Sequence, residues 1–164
     1  MRKQRWYPAG DPAVPKQTQD AFRRILDMVY ENQDQLGPLS IYGRGSKNQS
    51  IGVSDVVIFG CTITAPRPGM WTVTGRFAVA VAGAGDLGKE IRGSLYVAGE
   101  KCPGMAVVKS ATAGMSFMAS QSWQVKLSKG QALALRISKE STASGTSSVQ
   151  GENTTLTGVW QGTD

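Results

Sequence analysis

The chain has 164 residues, enough for one well-buried core with or without an extension. Only 18% of residues are charged and 20 are glycine, a balance that favours short strands and turns over long helices. There is no histidine and the formal net charge is +6; the first fact removes the Ser-His-Asp triad, the Cys-His dyad and almost every catalytic zinc arrangement.

No apolar run reaches the ~20 residues of a spanning helix, so no membrane partner is expected. The basic start is followed by Trp6, Tyr7 and Pro8, where a secretory leader would carry an apolar stretch. The expectation is a chain made and assembled in the cytoplasm. Basic residues are spread through both halves, and the tightest cluster is Arg2, Lys3 and Arg5. That cluster reads either as general solubility or as a basic arm touching an acidic protein surface or packaged nucleic acid. Zinc-finger spacing and a densely basic helix face are both missing, so no specific nucleic-acid partner is expected.

Residues 1–16 read as an extended arm, because Pro8, Gly10, Pro12 and Pro15 prevent a regular helix. Trp6 and Tyr7 are large apolar groups in a segment with no core of its own, which points to burial against another molecule. Residues 17–37 are predicted as a helix. Phe22, Ile25, Leu26, Val29 and Leu36 fall on one stripe at the helical period. Thr18 is the expected N-cap, and Gly37 with Pro38 is the stop signal. The stripe suits a helix packed on its own domain. It also fits a heptad with Asn32 as a register-setting polar residue, and hence a trimeric bundle or docking helix. Residues 38–52, rich in Gly, Ser and Asn, read as a linker that has room for a short strand near 39–42.

From Val53 the apolar period changes to two. Trp71, Val73, Phe77, Val79 and Val81 alternate with small or polar residues, and the same pattern recurs at Ile91–Leu95–Val97, Trp123–Val125–Leu127 and Leu133–Leu135–Ile137. Turn signals separate these runs and no helix lies between them, so residues 53–164 are predicted as an antiparallel sandwich or barrel. Trp71, Phe77, Phe117, Trp123 and Trp160 are assigned to its core or to a subunit interface. Gly83, Gly85 and Gly88 spell GxGxxG. A strand follows rather than the helix a dinucleotide site needs, so the motif reads as a flexible hairpin loop.

Acidic residues of the β-region are few and show no spacing suggestive of glycoside cleavage. Asn48 and Asn153 fall in N-x-S/T tripeptides that carry no meaning without secretion. Cys61 and Cys102 lack CxxC spacing and are expected as free thiols. No catalytic residue, cofactor or metal is assigned.

Four segments, taken in order, resemble one family. They are residues 62–73 (TITAPRPGMWTV), 95–100 (LYVAGE), 125–135 (VKLSKGQALAL) and 155–160 (TLTGVW). They are similar to the Ala-Pro turn and aromatic strand, the Gly-ended strand, the strand–Lys-Gly–strand unit and the closing strand of the jelly rolls of the tumour-necrosis-factor and complement globular-head superfamily. The resemblance implies a mainly β fold: a jelly-roll sandwich of roughly eight to ten antiparallel strands. It also implies a homotrimer closed around a threefold axis, with display and binding as its work in place of catalysis.

The front of the chain resembles short structural proteins of tailed bacteriophages. This likeness rests on Trp6-Tyr7-Pro8, on Gln17-Thr18-Gln19-Asp20-Ala21-Phe22 and on Val29-Tyr30-Glu31-Asn32. It implies a virion protein, a head fibre, spike or decoration. Arg2, Lys3, Arg5, Trp6 and Tyr7 would anchor it to capsid, neck or tail proteins. An arm of this length reaches at most about 50 Å, and three linked arms raise affinity by ~10²–10⁴. The alternative is a tail-tip module that recognises a host glycan or protein through loops 82–89, 99–104 and 140–152.

Overall fold

A computed structural model describes residues 16–35 and 40–162, and the chain divides into two units, residues 1–39 and 40–164. The first contains helix α1, Lys16–Gln35. It begins two residues before Thr18, so Thr18 lies in its first turn and is not its N-cap. Phe22 and Ile25 are more than half exposed and Leu26 is half-buried. The side chain of Val29, Leu36 and the whole arm, including Arg2, Lys3, Arg5, Trp6 and Tyr7, lie outside the described residues.

The second unit is built of eleven strands: β1 (Ser40–Arg44), β2 (Gln49–Ser50), β3 (Val56–Thr64), β4 (Gly69–Val81), β5 (Glu90–Val97), β6 (Glu100–Lys101), β7 (Ala106–Lys109), β8 (Ser116–Leu127), β9 (Ala132–Lys139), β10 (Ser147–Val149) and β11 (Thr155–Gly162). All pairings are antiparallel. One sheet runs β1-β11-β4-β10-β2 with β8 on the other side of β4; the second runs β3-β9-β5-β6 with β7 also on β5. Residues 40–52, expected within a linker that had room for a short strand near 39–42, are therefore part of the sandwich. β1 pairs with β11 along its whole length and β2 with β10. Tyr42 and Gly43 carry little hydrophobic alternation, and the partner strand supplies the hydrogen bonds that a lone segment lacks.

The core lies between the sheets. On β4, Trp71, Val73, Phe77, Val79 and Val81 point inward, and Trp123 and Leu127 of β8 join them. Ile91 and Leu95 of β5 and Leu133, Leu135 and Ile137 of β9 face them from the second sheet. Each such side chain contributes about 1.5–3 kcal/mol on burial. Trp71, Phe77 and Trp123 are thus core residues. Trp160 is only partly buried: its indole donates to the Pro68 carbonyl at 3.1 Å, and the Arg67 guanidinium lies 4.6 Å over its ring.

Strand β3 breaks alternation once. Ile58 and Cys61 are both buried while Phe59 and Gly60 between them are exposed. The register shifts between Val57 and Thr62, and Gly60 takes φ 85°. This is a bulge, and it turns a phenylalanine ring outward. Cys61 and Cys102 are unbridged, and burial pushes the Cys61 thiol up to about 11.

Candidate functional site

Three features of the second unit are arranged beyond what the core requires. The first is the outward face of the β1-β11-β4-β8 sheet. Strand register sets Tyr42, Thr157, Thr74 and Ser122 in one row across it, and Ser40, Val159, Thr72 and Gln124 in the next. Thr74 and Ser122 share a hydroxyl–hydroxyl bond of 2.8 Å. Tyr42 is 60% exposed, and Val159 and Met118 are also well exposed. Among the described residues no carboxylate stands on this face, and the charges there are Arg44, Arg76 and Lys126. Strand β8, twelve residues long, is hydrogen-bonded along one edge only among the described residues.

The second feature ties two loops together. Loop 82–89, the GxGxxG segment, contains a single 3₁₀ turn at Ala84–Asp86. Its Asp86 is fully buried. The carboxylate accepts hydrogen bonds from the Gly145 N–H at 2.8 Å, the Lys139 ammonium at 3.2 Å and the Ser147 hydroxyl. Lys139 also donates to the Gly145 carbonyl. Burial by itself raises the Asp86 pKa, but the bonds from Ser147, Lys139 and Gly145 outweigh it and hold the carboxyl below its ordinary value. The segment is pinned where flexibility was expected, because one carboxylate satisfies donors from three places in the chain. Of the three loops expected to form a recognition surface, 82–89 and 140–147 meet here. Loop 99–104 follows the opposite end of β5 and stands apart.

The third feature is a polar cleft of about 420 Å³ lined by Ser46, Lys47, Asn48, Gln150, Glu152 and Asn153. It forms where the β1–β2 and β10–β11 connections meet. Gly45 and Gly151 make that meeting possible: a Cβ on Gly45 would collide with the Gly151 backbone, and one on Gly151 with the Lys47 backbone. The Gly45 N–H donates to the Thr154 carbonyl at 2.8 Å, the Gly151 N–H to Asn48 Oδ1 at 3.1 Å, and Arg44 Nε to the Glu152 carbonyl at 3.0 Å. The outward Phe59 ring lies outside that lining and is joined to it through Lys47, whose ammonium is 4.2 Å from the ring centroid. Sequence reasoning missed the cleft. Its one legible signal was the pair of N-x-S/T asparagines, Asn48 and Asn153, which the fold brings to one place.

Two further carboxylate groupings occur. Asp55 receives Tyr96 Oη and Lys101 Nζ, and these bonds, with one from Ser138, outweigh burial and hold it low. Glu140 accepts the Glu90 N–H at 3.3 Å. Hydrogen bonds from Arg92 and Lys109 lower Glu90; those from Thr142 and the Glu90 backbone lower Glu140. No cluster of three acidic or cysteine side chains suited to a metal ion occurs among the described residues.

Together these strands define a mainly β protein with two antiparallel sheets in the jelly-roll arrangement. No protein-family model matches the chain, and no curated protein matches it in sequence. Solved structures do match in fold. An Eiger TNF from S. frugiperda superposes with a TM-score of 0.54 at 11% identity, over 76% of this chain and 93% of that one. Murine APRIL superposes with a TM-score of 0.52 at 12% identity, over 74% of this chain and 98% of that one. The likeness is one of fold: the chain carries a TNF-like jelly roll, as the four segments between residues 62 and 160 implied.

Proposed function

We propose that this chain is a non-enzymatic virion structural protein of a bacteriophage, a short homotrimeric fibre, spike or capsid decoration. Its trimer buries the outward face of the β1-β11-β4-β8 sheet, and residues 1–16 with α1 anchor it to other virion proteins. The observation that carries the reading is that face. It is broad, carries no carboxylate among the described residues and is centred on Tyr42, Val159 and rows of Thr and Ser. Exposed apolar and neutral side chains of this kind, with an aromatic among them, suit the buried centre of an interface, and the cations Arg44, Arg76 and Lys126 suit its polar rim. A long strand such as β8, with one edge unpaired among the described residues, also needs cover if it is not to recruit stray strands. The exposed Phe22 and Ile25 of α1 are what a three-helix bundle would bury.

A non-catalytic role is supported by the state of the acids. Acid–base pairs work by pushing two pKa values apart, whereas Glu90 and Glu140 are both held low by their partners. The particle role rests on the N-terminal resemblance.

Light scattering of the full chain tests the trimer: the expected mass is three times the 17.4 kDa chain. A Tyr42→Lys, Thr74→Arg double variant should run as a folded monomer. A wild type that stays monomeric at working concentration refutes the assembly. Removing residues 1–16 should leave a soluble trimer that no longer joins particles, and retained incorporation rejects the anchor.

A second reading, a tail-tip receptor-binding module, is favoured by the pinned loops at Asp86 and by the polar cleft. Adsorption of the full chain to host cells, or its absence, separates the two.

A further inference from the structure

We infer that the cleft between the β1–β2 and β10–β11 connections binds a neutral oligosaccharide, with Phe59 as its stacking surface. The inference rests on the receptor-binding reading and assigns it a place in the molecule. The cleft has the size of a small-ligand site, but such sites are mostly apolar and this one is lined by amides, a hydroxyl and two opposite charges.

Its polar atoms are set in fixed directions. Asn48 Oδ1 is occupied by the Gly151 N–H, which leaves the Asn48 amide N–H groups as donors to the cleft. Asn153 Nδ2 donates to Gln150 Oε1 at 3.4 Å and leaves Asn153 Oδ1 as an acceptor. The Glu152 carboxylate makes no ion pair among the described residues. Amides that both donate and accept match adjacent hydroxyl groups, and a carboxylate adds a stronger, charge-assisted acceptor.

The charges exclude other ligands. Lys47 and Glu152 in the lining offset each other in charge, so a phosphate or polyanion gains little from the lining itself. A single carboxylate does not make a cation site.

Phe59 supplies the apolar part. The β3 bulge turns it outward to 46% exposure. Outward placement of an aromatic ring beside a polar cleft has no use in the core. The Lys47 ammonium covers one face now, and its flexible stem allows the C–H face of a sugar to take that position. The Gly45–Gly151 approach fixes the two connections before any ligand arrives, which lowers the ordering cost of weak binding.

The test is retention of the labelled full chain on an array of neutral hexose and N-acetylhexosamine oligosaccharides, with phosphorylated and uronic-acid glycans alongside. The expected result is retention of neutral glycans. Titration with the best of them should then show affinity reduced about tenfold by Phe59→Ala and by a smaller factor in Glu152→Gln. Both variants are at exposed positions and should keep the wild-type melting temperature. No retention, retention of acidic glycans only, or affinity unchanged in both variants overturns the inference. Host-cell adsorption that persists in both variants leaves the receptor-binding reading standing and removes the cleft from it.

Discussion

Replacing Asp86 by alanine should be among the most damaging single changes in the β-unit. Asp86 is fully buried and only 9% of the Lys139 side chain is exposed. Without the carboxylate, Lys139 keeps the Gly145 carbonyl alone, and the Gly145 N–H and Ser147 hydroxyl lose their acceptor. Breaking a buried pair by removing one partner costs about 3–5 kcal/mol. That is a large share of the ~5–15 kcal/mol that holds a typical domain together. For a unit of this size the melting temperature should fall by about 10–18 °C. Calorimetry at one fixed chain concentration measures it, since assembly makes melting concentration-dependent. The double variant Asp86→Ala, Lys139→Met removes both charges and should recover more than half of the loss. A single-variant drop under about 3 °C, or a double variant no better than the single, would refute the claim that the two loops are held by this ion pair.

Four other outcomes follow from the packing and the charge states. A methyl group on Gly93 would collide with the fully buried Phe77 ring, so Gly93→Ala should destabilise by about 1–3 kcal/mol in denaturant titration. Asp86 and Asp55 are both held below the ordinary carboxylate value of 3.8. Their stabilisation is present above that pH and is lost as pH falls through the lower folded values, so below about pH 3.8 wild type should lose stability that Asp86→Asn does not. Cys61 has the opposite sign. Its thiol is pushed from 9.0 up to about 11, so the unfolded chain loses its proton first and stability falls between those values; the fall should shrink in Cys61→Ala. At pH 8 a thiol reagent should label Cys102, which is only half-buried, well before Cys61.

Much of the architecture was written in the chain. Strict alternation at Trp71–Val81, Ile91–Val97, Trp123–Leu127 and Leu133–Ile137 states which residues face inward, because a strand's side chains alternate whatever it pairs with. Helix α1 itself was equally legible from the helical period. The family likeness of residues 62–73, 95–100, 125–135 and 155–160 is of the same kind, since turns and strand ends demand particular residues at particular places.

What the tertiary structure decided are the things that depend on partners distant in sequence. Residues 40–44 read as a linker with at most a short strand near 39–42, because their pairing information resides in β11, more than a hundred residues later. Asp86 looked like one acid in a glycine-rich loop; its three partners lie between residues 139 and 147. The cleft needed a bulge at Phe59–Gly60 and the close approach of Gly45 and Gly151, neither of which has a periodic signature. Local pattern fixes the face a side chain points to. Which other segment waits on that face is set only when the two sheets close.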